Sequence, residues 1–126
     1  MLKEKIKILL VEDDSFLLGM YAAKFELEGF KVIMAEDGEK AIRASLKELP
    51  DVILLDIILP KLDGFEVLKQ LKAEGKTAKI PVILLTNLSQ RDEIKRGLEM
   101  GAADYLIKAH FMPSEVVEKI KRILSK

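Results

Sequence analysis

Five short runs of apolar, largely β-branched residues recur along the chain: IKILLV (6–11), FKVIM (30–34), DVILL (51–55), PVILLT (81–86) and ADYLI (103–107). They are nearly continuous rather than alternating, which is the pattern of strands buried on both faces of a parallel sheet. The segments between them carry a helical period. Leu18, Ala22 and Phe25 fall on one face ahead of Gly29; Ala41, Ile42, Ser45, Leu46 and Leu49 do so ahead of Pro50; Phe65, Leu68 and Leu71 do so ahead of Gly75. Ser89, with Asp92 three residues on, predicts the N-cap of a fourth helix with Ile94 and Leu98 on its inner face and Gly101 at its end. Pro113 suits the first turn of a fifth, whose apolar stripe is Val116, Val117, Ile120, Ile123 and Leu124. Five strands alternating with five helices predict an α/β fold, a doubly wound (βα)5 sandwich around a five-stranded parallel sheet.

At 126 residues and 49% hydrophobic composition the chain can bury one core, so residues 1–126 are expected to form a single domain with no attached effector domain. Twenty-one basic residues cancel 21 acidic ones, leaving no positive field to hold nucleic acid or an anionic membrane. Without cysteine there is neither a disulfide framework nor a thiolate metal site. MLKEKIKILL lacks the apolar length and cleavage site of a secretory signal, and charge interrupts every apolar run well short of the ~20 residues that cross a bilayer. The expected location is cytoplasmic.

In open parallel sheets, ligands sit where the carboxyl ends of the strands meet their loops. Here those ends carry Glu12, Asp13 and Asp14 after the first strand, Asp56 ending the third, Thr86 and Asn87 after the fourth, and Lys108 after the fifth. Carboxylates crowded in one crevice repel one another unless a cation neutralises them. Donors that are all oxygen favour a hard ion of the Mg²⁺ type, which takes a few carboxylates and otherwise water or phosphate oxygens. Such a site suits phosphoryl chemistry: Asp56 can attack phosphorus, while the dication, an ammonium and a hydroxyl neutralise the transferring oxygens.

ILLVEDD at the first strand, LLDIILPKLDGF at the third, VILLTN at the fourth and GAADYLIK at the fifth stand in the order and spacing of one family, and the chain resembles, over essentially its whole length, the receiver domains of two-component response regulators. The resemblance implies a flavodoxin-like fold and a phosphoprotein of a His-Asp phosphorelay, in which Asp56 accepts a phosphoryl group from a sensor histidine kinase or phosphotransfer protein. It implies Mg²⁺ held by Asp13 and Asp56, with Glu12 acting through water and the Ile58 carbonyl completing the protein ligands. Thr86 and Lys108 would contact the phosphoryl oxygens, and Tyr105 would change rotamer together with Thr86. The signal would pass to a downstream protein target, or to a homodimer, through the face built by the fourth helix, fifth strand and fifth helix. The chain would be no enzyme beyond its own phosphorylation and dephosphorylation.

Two positions depart from the family: Asn87 follows Thr86 where a small residue is usual, and Ala109 follows Lys108 where proline is usual. The positions two beyond Asp56 and two beyond Thr86, which tune acyl-phosphate hydrolysis in the family, are the apolar Ile58 and Leu88, so slow self-dephosphorylation is expected. Gly97 inside the fourth helix calls either for close packing or for a helix soft enough to shift on phosphorylation. Asp14 reads as a helix cap, Pro60, Asp63 and Gly64 as turn and cap support for the third strand, the basic run 69–79 as a solvated helix end, and His110 has no assigned role. An aspartyl phosphohydrolase would place its nucleophile after the first strand and carry a cap insertion. A flavodoxin-like cofactor binder would need a glycine- and hydroxyl-rich loop where VEDDS stands. A receiver that had lost phosphorylation would not retain the acids, Thr86 and Lys108 together.

Overall fold

The computed structural model describes residues 5–86, 91–108 and 112–125. The expected alternation is present: β1 (Lys7–Val11), α1 (Ser15–Leu27), β2 (Lys31–Ala35), α2 (Gly38–Glu48), β3 (Val52–Asp56), α3 (Gly64–Ala73), β4 (Val82–Thr86), α4 (Arg91–Glu99), β5 (Asp104–Ile107) and α5 (Pro113–Leu124). All neighbouring strands pair in parallel, in the order β2-β1-β3-β4-β5. Every residue of β3 and β4 is buried, as their unbroken apolar runs require. One face of the sheet packs Leu9, Ile53, Leu55 and Leu84 against Phe65, Leu68 and Leu71 of α3; the other packs Ile8, Leu10, Leu54 and Leu85 against α1 and α5 through Phe25, Val116 and Ile120. The order of strands reverses between β1 and β3, so the ends bearing Glu12 and Asp56 flank the crevice where such folds bind ligands.

Local chemistry fixes the helix starts. Asp14 caps α1 by accepting from the N–H groups of Phe16 and Leu17, and Asp63 caps α3 by accepting from Glu66 N–H. Asp37 does the same for α2 through Lys40 N–H at 2.9 Å. That donor holds the Asp37 carboxyl below its ordinary pKa of 3.8. A lowered folded-state value contributes stability above the unfolded pKa and loses it as pH falls through the folded one. In chemical denaturation, Asp37→Asn should therefore trail the wild type at neutral pH, and the gap should close below pH 3.8. A gap that is unchanged in acid would show that the carboxylate charge contributes nothing.

Three expected inner-face residues are not inside. Leu46 and Leu49 on α2, and Leu98 on α4, are exposed. On α2 the buried residues are Gly38, Ala41 and Ser45, small enough to bring the helix close, and Leu49 lies past the last turn as a left-handed cap with φ 46°. On α4 the inward line runs through Ile94 and Gly97. A Cβ on Gly97 would run into Leu84 Cδ1, so close packing accounts for this glycine, and Leu98, one residue on, is turned away. The Ser89 cap, Asn87, Leu88, Ala109 and His110 lie outside the described residues.

Candidate functional site

β1 and β3 end side by side, because Val11 pairs with Leu55, so the next residues of each strand, Glu12 and Asp56, meet at the carboxyl edge. Both are buried, at 1% and 4% exposure, while Asp13 faces solvent. Oxygens of Glu12, Asp13 and Asp56 lie within 4.8 Å of one another, a set of three acids that the sequence predicts from strand ends, Glu12 and Asp56 being 44 residues apart.

Lys108 answers this charge. Its Nζ donates to Asp56 Oδ2 at 2.6 Å and lies 2.8 Å from Glu12 Oε2. Register places it there: Thr86 pairs with Ile107, and Lys108 N–H donates to Thr86 O at 2.8 Å. Burial alone would lower the ammonium's pKa, but hydrogen bonds and charge from Asp56 and Glu12 outweigh it and the net shift is upward. For Glu12, burial is the largest influence and raises the carboxyl above its ordinary 4.5; Lys108 opposes this and the Asp56 charge reinforces it. Glu12 Oε1 accepts from Asp14 N–H at 3.2 Å. Its Oε2 is buried against the Lys108 ammonium.

The backbone beneath Asp56 is tightly held. Asp56 Oδ1 accepts from Ile58 N–H at 3.1 Å, which fixes the plane of the carboxylate. Gly64 N–H donates to Ile57 O at 2.7 Å, and a Cβ on Gly64 would sit 2.5 Å from Asp56 O. Glycine is thus required for α3 to start against the strand that carries the acid. The Ile58 side chain is 60% exposed beside the site.

Thr86, buried at the end of β4, lies one residue beyond Leu85, the partner of Asp56. Tyr105 pairs with Leu84, so Thr86 and Tyr105 point to the same face of the sheet, two positions apart on neighbouring strands. Tyr105 is half-buried and, with Arg91, Ile94 and Ile107, lines a cavity of about 360 Å³ between α4 and β5.

The site fits a hard dication. Its donors are all carboxylate oxygens, and three carboxylates against one ammonium leave a formal charge of −2. Sequence reasoning identified these side chains; it did not foresee that Lys108 would bridge Glu12 and Asp56 directly. The spacing of ionic residues at four strand ends carries no record of which of them pair directly.

The family described as "Response regulator receiver domain" matches residues 8–121. The alkaline phosphatase synthesis transcriptional regulatory protein PhoP of Bacillus subtilis is 42% identical over 94% of this chain and 48% of its own length. The phosphate regulon transcriptional regulatory protein PhoB of Escherichia coli is 40% identical over 94% of this chain and 51% of its own. The chain therefore spans about half the length of these curated relatives. Among solved structures, the chemotaxis response regulator CheY4 of Vibrio cholerae superposes with a TM-score of 0.87 at 27% identity, covering 95% of this chain and 99% of that one. The receiver domain of the sensor histidine kinase PA1611 of Pseudomonas aeruginosa, which has a magnesium ion coordinated in its active-site cleft, does so with 0.89 at 29% identity, covering 98% and 100%. With its sheet order, its acidic crevice and this match over most of its length, the chain belongs to the response regulator receiver domains.

Proposed function

We propose that Asp56 accepts a phosphoryl group from the phosphohistidine of a sensor kinase or phosphotransfer protein, in a reaction that depends on Mg²⁺, and that the chain then signals to a protein target through α4, β5 and α5. The observation that carries this reading is the buried Asp56 carboxylate held between Ile58 N–H and the Lys108 ammonium, with Glu12 and Asp13 in reach of the same point.

Asp13 and Asp56 would hold the ion directly, Glu12 through water, with the Ile58 carbonyl as a further ligand. When bound, Mg²⁺ neutralises phosphoryl oxygens that carry charge in the transition state. The chain's own groups do the rest. A bond forms from an Asp56 carboxylate oxygen to phosphorus as the bond to the donor imidazole nitrogen breaks, and Asp56 is oriented for this by Ile58 N–H. Lys108, already charged and 18% exposed, neutralises one transferring oxygen, and the Thr86 hydroxyl contacts another. Since Thr86 and Tyr105 share a face, an inward shift of Thr86 opens the space into which Tyr105 turns, altering the cavity with Arg91 and Ile94 that a target or a second copy reads. The chain works as a phosphoacceptor module rather than a turnover enzyme, on the cytoplasmic side where kinases of this type present phosphohistidine. Among the described residues no helix is long and apolar enough to cross a membrane.

Intact-mass analysis after acetyl phosphate, with and without Mg²⁺, tests the reading: one phosphoryl group should appear only with the ion, and uptake that ignores chelation would overturn it. Decay of that adduct tests Ile58. An apolar side chain there can neither orient nor deprotonate water. Ile58→Asn, whose amide orients water without taking its proton, should shorten the acyl-phosphate lifetime about tenfold, below the 10²–10⁴ that full acid–base participation gives. Equal lifetimes in the two proteins would remove Ile58 from the account.

A further inference from the structure

The loop from β3 to α3, which carries Ile58 out of the site, is braced at its far end by α2. Leu62 N–H donates to Pro60 O at 2.8 Å, closing a three-residue turn around Lys61, whose φ is 68°. A γ-turn with positive φ is rare and strained for a side-chain-bearing residue, and such strain persists only where the surroundings over-determine it. The surroundings here are the first turn of α2. A Cβ on Gly38 would run into the Leu62 carbonyl oxygen and sit 2.6 Å from Leu62 Cβ, so the helix and the loop meet backbone to backbone. The Lys61 ammonium lies 4.0 Å from both Asp37 Oδ2 and Glu39 Oε1, one on each side of Gly38. Leu62 itself packs against the core under α2 and α3.

The loop is therefore pinned twice. At its end, Gly64 lies against the Asp56 and Ile57 backbone; at its apex, Lys61 and Leu62 lie against Gly38. Ile58, whose N–H holds the Asp56 carboxylate, lies between the Ile57 backbone that Gly64 braces and the Lys61 turn. We infer that the Asp37–Gly38–Glu39 turn is a positioning element for the phosphoacceptor site: by fixing the Lys61 turn it sets the Ile58 peptide, and so the affinity of the site for a divalent cation, without touching the ion. Gly38 and Lys61 are positioning residues and have no contact with Asp56. This rests on the Mg²⁺ reading given above.

The test is a titration of each protein with Mg²⁺ alone, followed by amide NMR shifts of residues 56–58, beside its thermal melt. Gly38→Ala forces the two backbones apart, and Lys61→Gly relaxes the turn and removes both ion pairs while retaining a residue that accepts positive φ. Phe25→Leu, in the core on the other face of the sheet, is the control for stability lost elsewhere. Both loop variants should bind Mg²⁺ at least five-fold more weakly than wild type and shift the 56–58 amides before any ion is added. The control should keep the wild-type Kd whatever its melting temperature. If Gly38→Ala does not fold, Lys61→Gly decides alone. Unchanged Kd values in the loop variants, or an equal loss in Phe25→Leu, would overturn the positioning role and leave the phosphoacceptor reading standing. A wild-type protein whose 56–58 amides ignore Mg²⁺ would overturn both.

Discussion

Asp56→Asn should abolish phosphoryl uptake from acetyl phosphate in Mg²⁺ while leaving the fold in place. The amide has no carboxylate oxygen to attack phosphorus, so no acyl phosphate forms and intact mass shows no adduct. Stability should stay within about 1 kcal/mol of wild type, because opposing changes nearly cancel. The variant loses the 2.6 Å hydrogen bond between charged Lys108 and Asp56, but the Asn carbonyl still accepts from Ile58 N–H, and one of three crowded carboxylates is gone. With that charge removed, the Glu12 carboxyl should move back toward its ordinary value, since Asp56 is one of the two influences that raise it. A phosphoryl adduct on the variant at wild-type yield, with Asp13 as the nearest exposed acid, would sink the assignment of Asp56 as acceptor.

The placement of that acid was legible because strands follow simple rules. Apolar runs buried on both faces announce β3 and β4, alternation with helices orders the parallel sheet, and a charge ending such a run lies at the ligand edge. Capping was legible for similar reasons, since Asp14 and Asp63 stand immediately before helical segments and need only local geometry. What periodicity misjudged were helix faces next to glycine. Leu98 has the larger apolar surface, yet Gly97 faces β4, because the helix gains more by approaching Leu84 closely than by inserting a leucine. On α2 the same logic buries Gly38 and Ala41 and leaves Leu46 outside. Backbone contacts such as Gly38 against Leu62 leave only a weak trace in sequence: a glycine directly after an N-cap aspartate, where other residues serve a helix better. The closing of Lys108 across Glu12 and Asp56 depends on distances between strands 52 and 96 residues apart, which composition and spacing do not carry.

Lys108→Met tests that closing most severely. The substitution keeps an unbranched stem of similar bulk and removes the charge, leaving Glu12 and Asp56 buried together without a counter-ion. Removing one partner from a buried ion pair typically costs ~3–5 kcal/mol. Lys108 retains 18% exposure and Glu12 can take up a proton, so the loss should fall at or just below the bottom of that range, about 2–3 kcal/mol at neutral pH, or roughly 10 °C in Tm. The pH dependence has a definite sign. The folded-state pKa of Glu12 is already raised above 4.5, so its contribution is fully present below 4.5 and is lost as pH rises through the folded value. Lys108 is the main opposing influence, so in Lys108→Met that loss grows and extends to higher pH; the variant should approach wild-type stability in acid and diverge from it toward neutrality. Glu12→Gln in the same background should recover at least half of the deficit, a coupling that two independent substitutions would not show. Excess Mg²⁺ should recover part of it as well, because a dication meets the same charge as the lost ammonium. If Lys108→Met melts with the wild type at neutral pH, or if Glu12→Gln leaves its deficit untouched, then the ammonium is not what makes the buried acids tolerable, and some other group must hold the crevice ready for phosphorus.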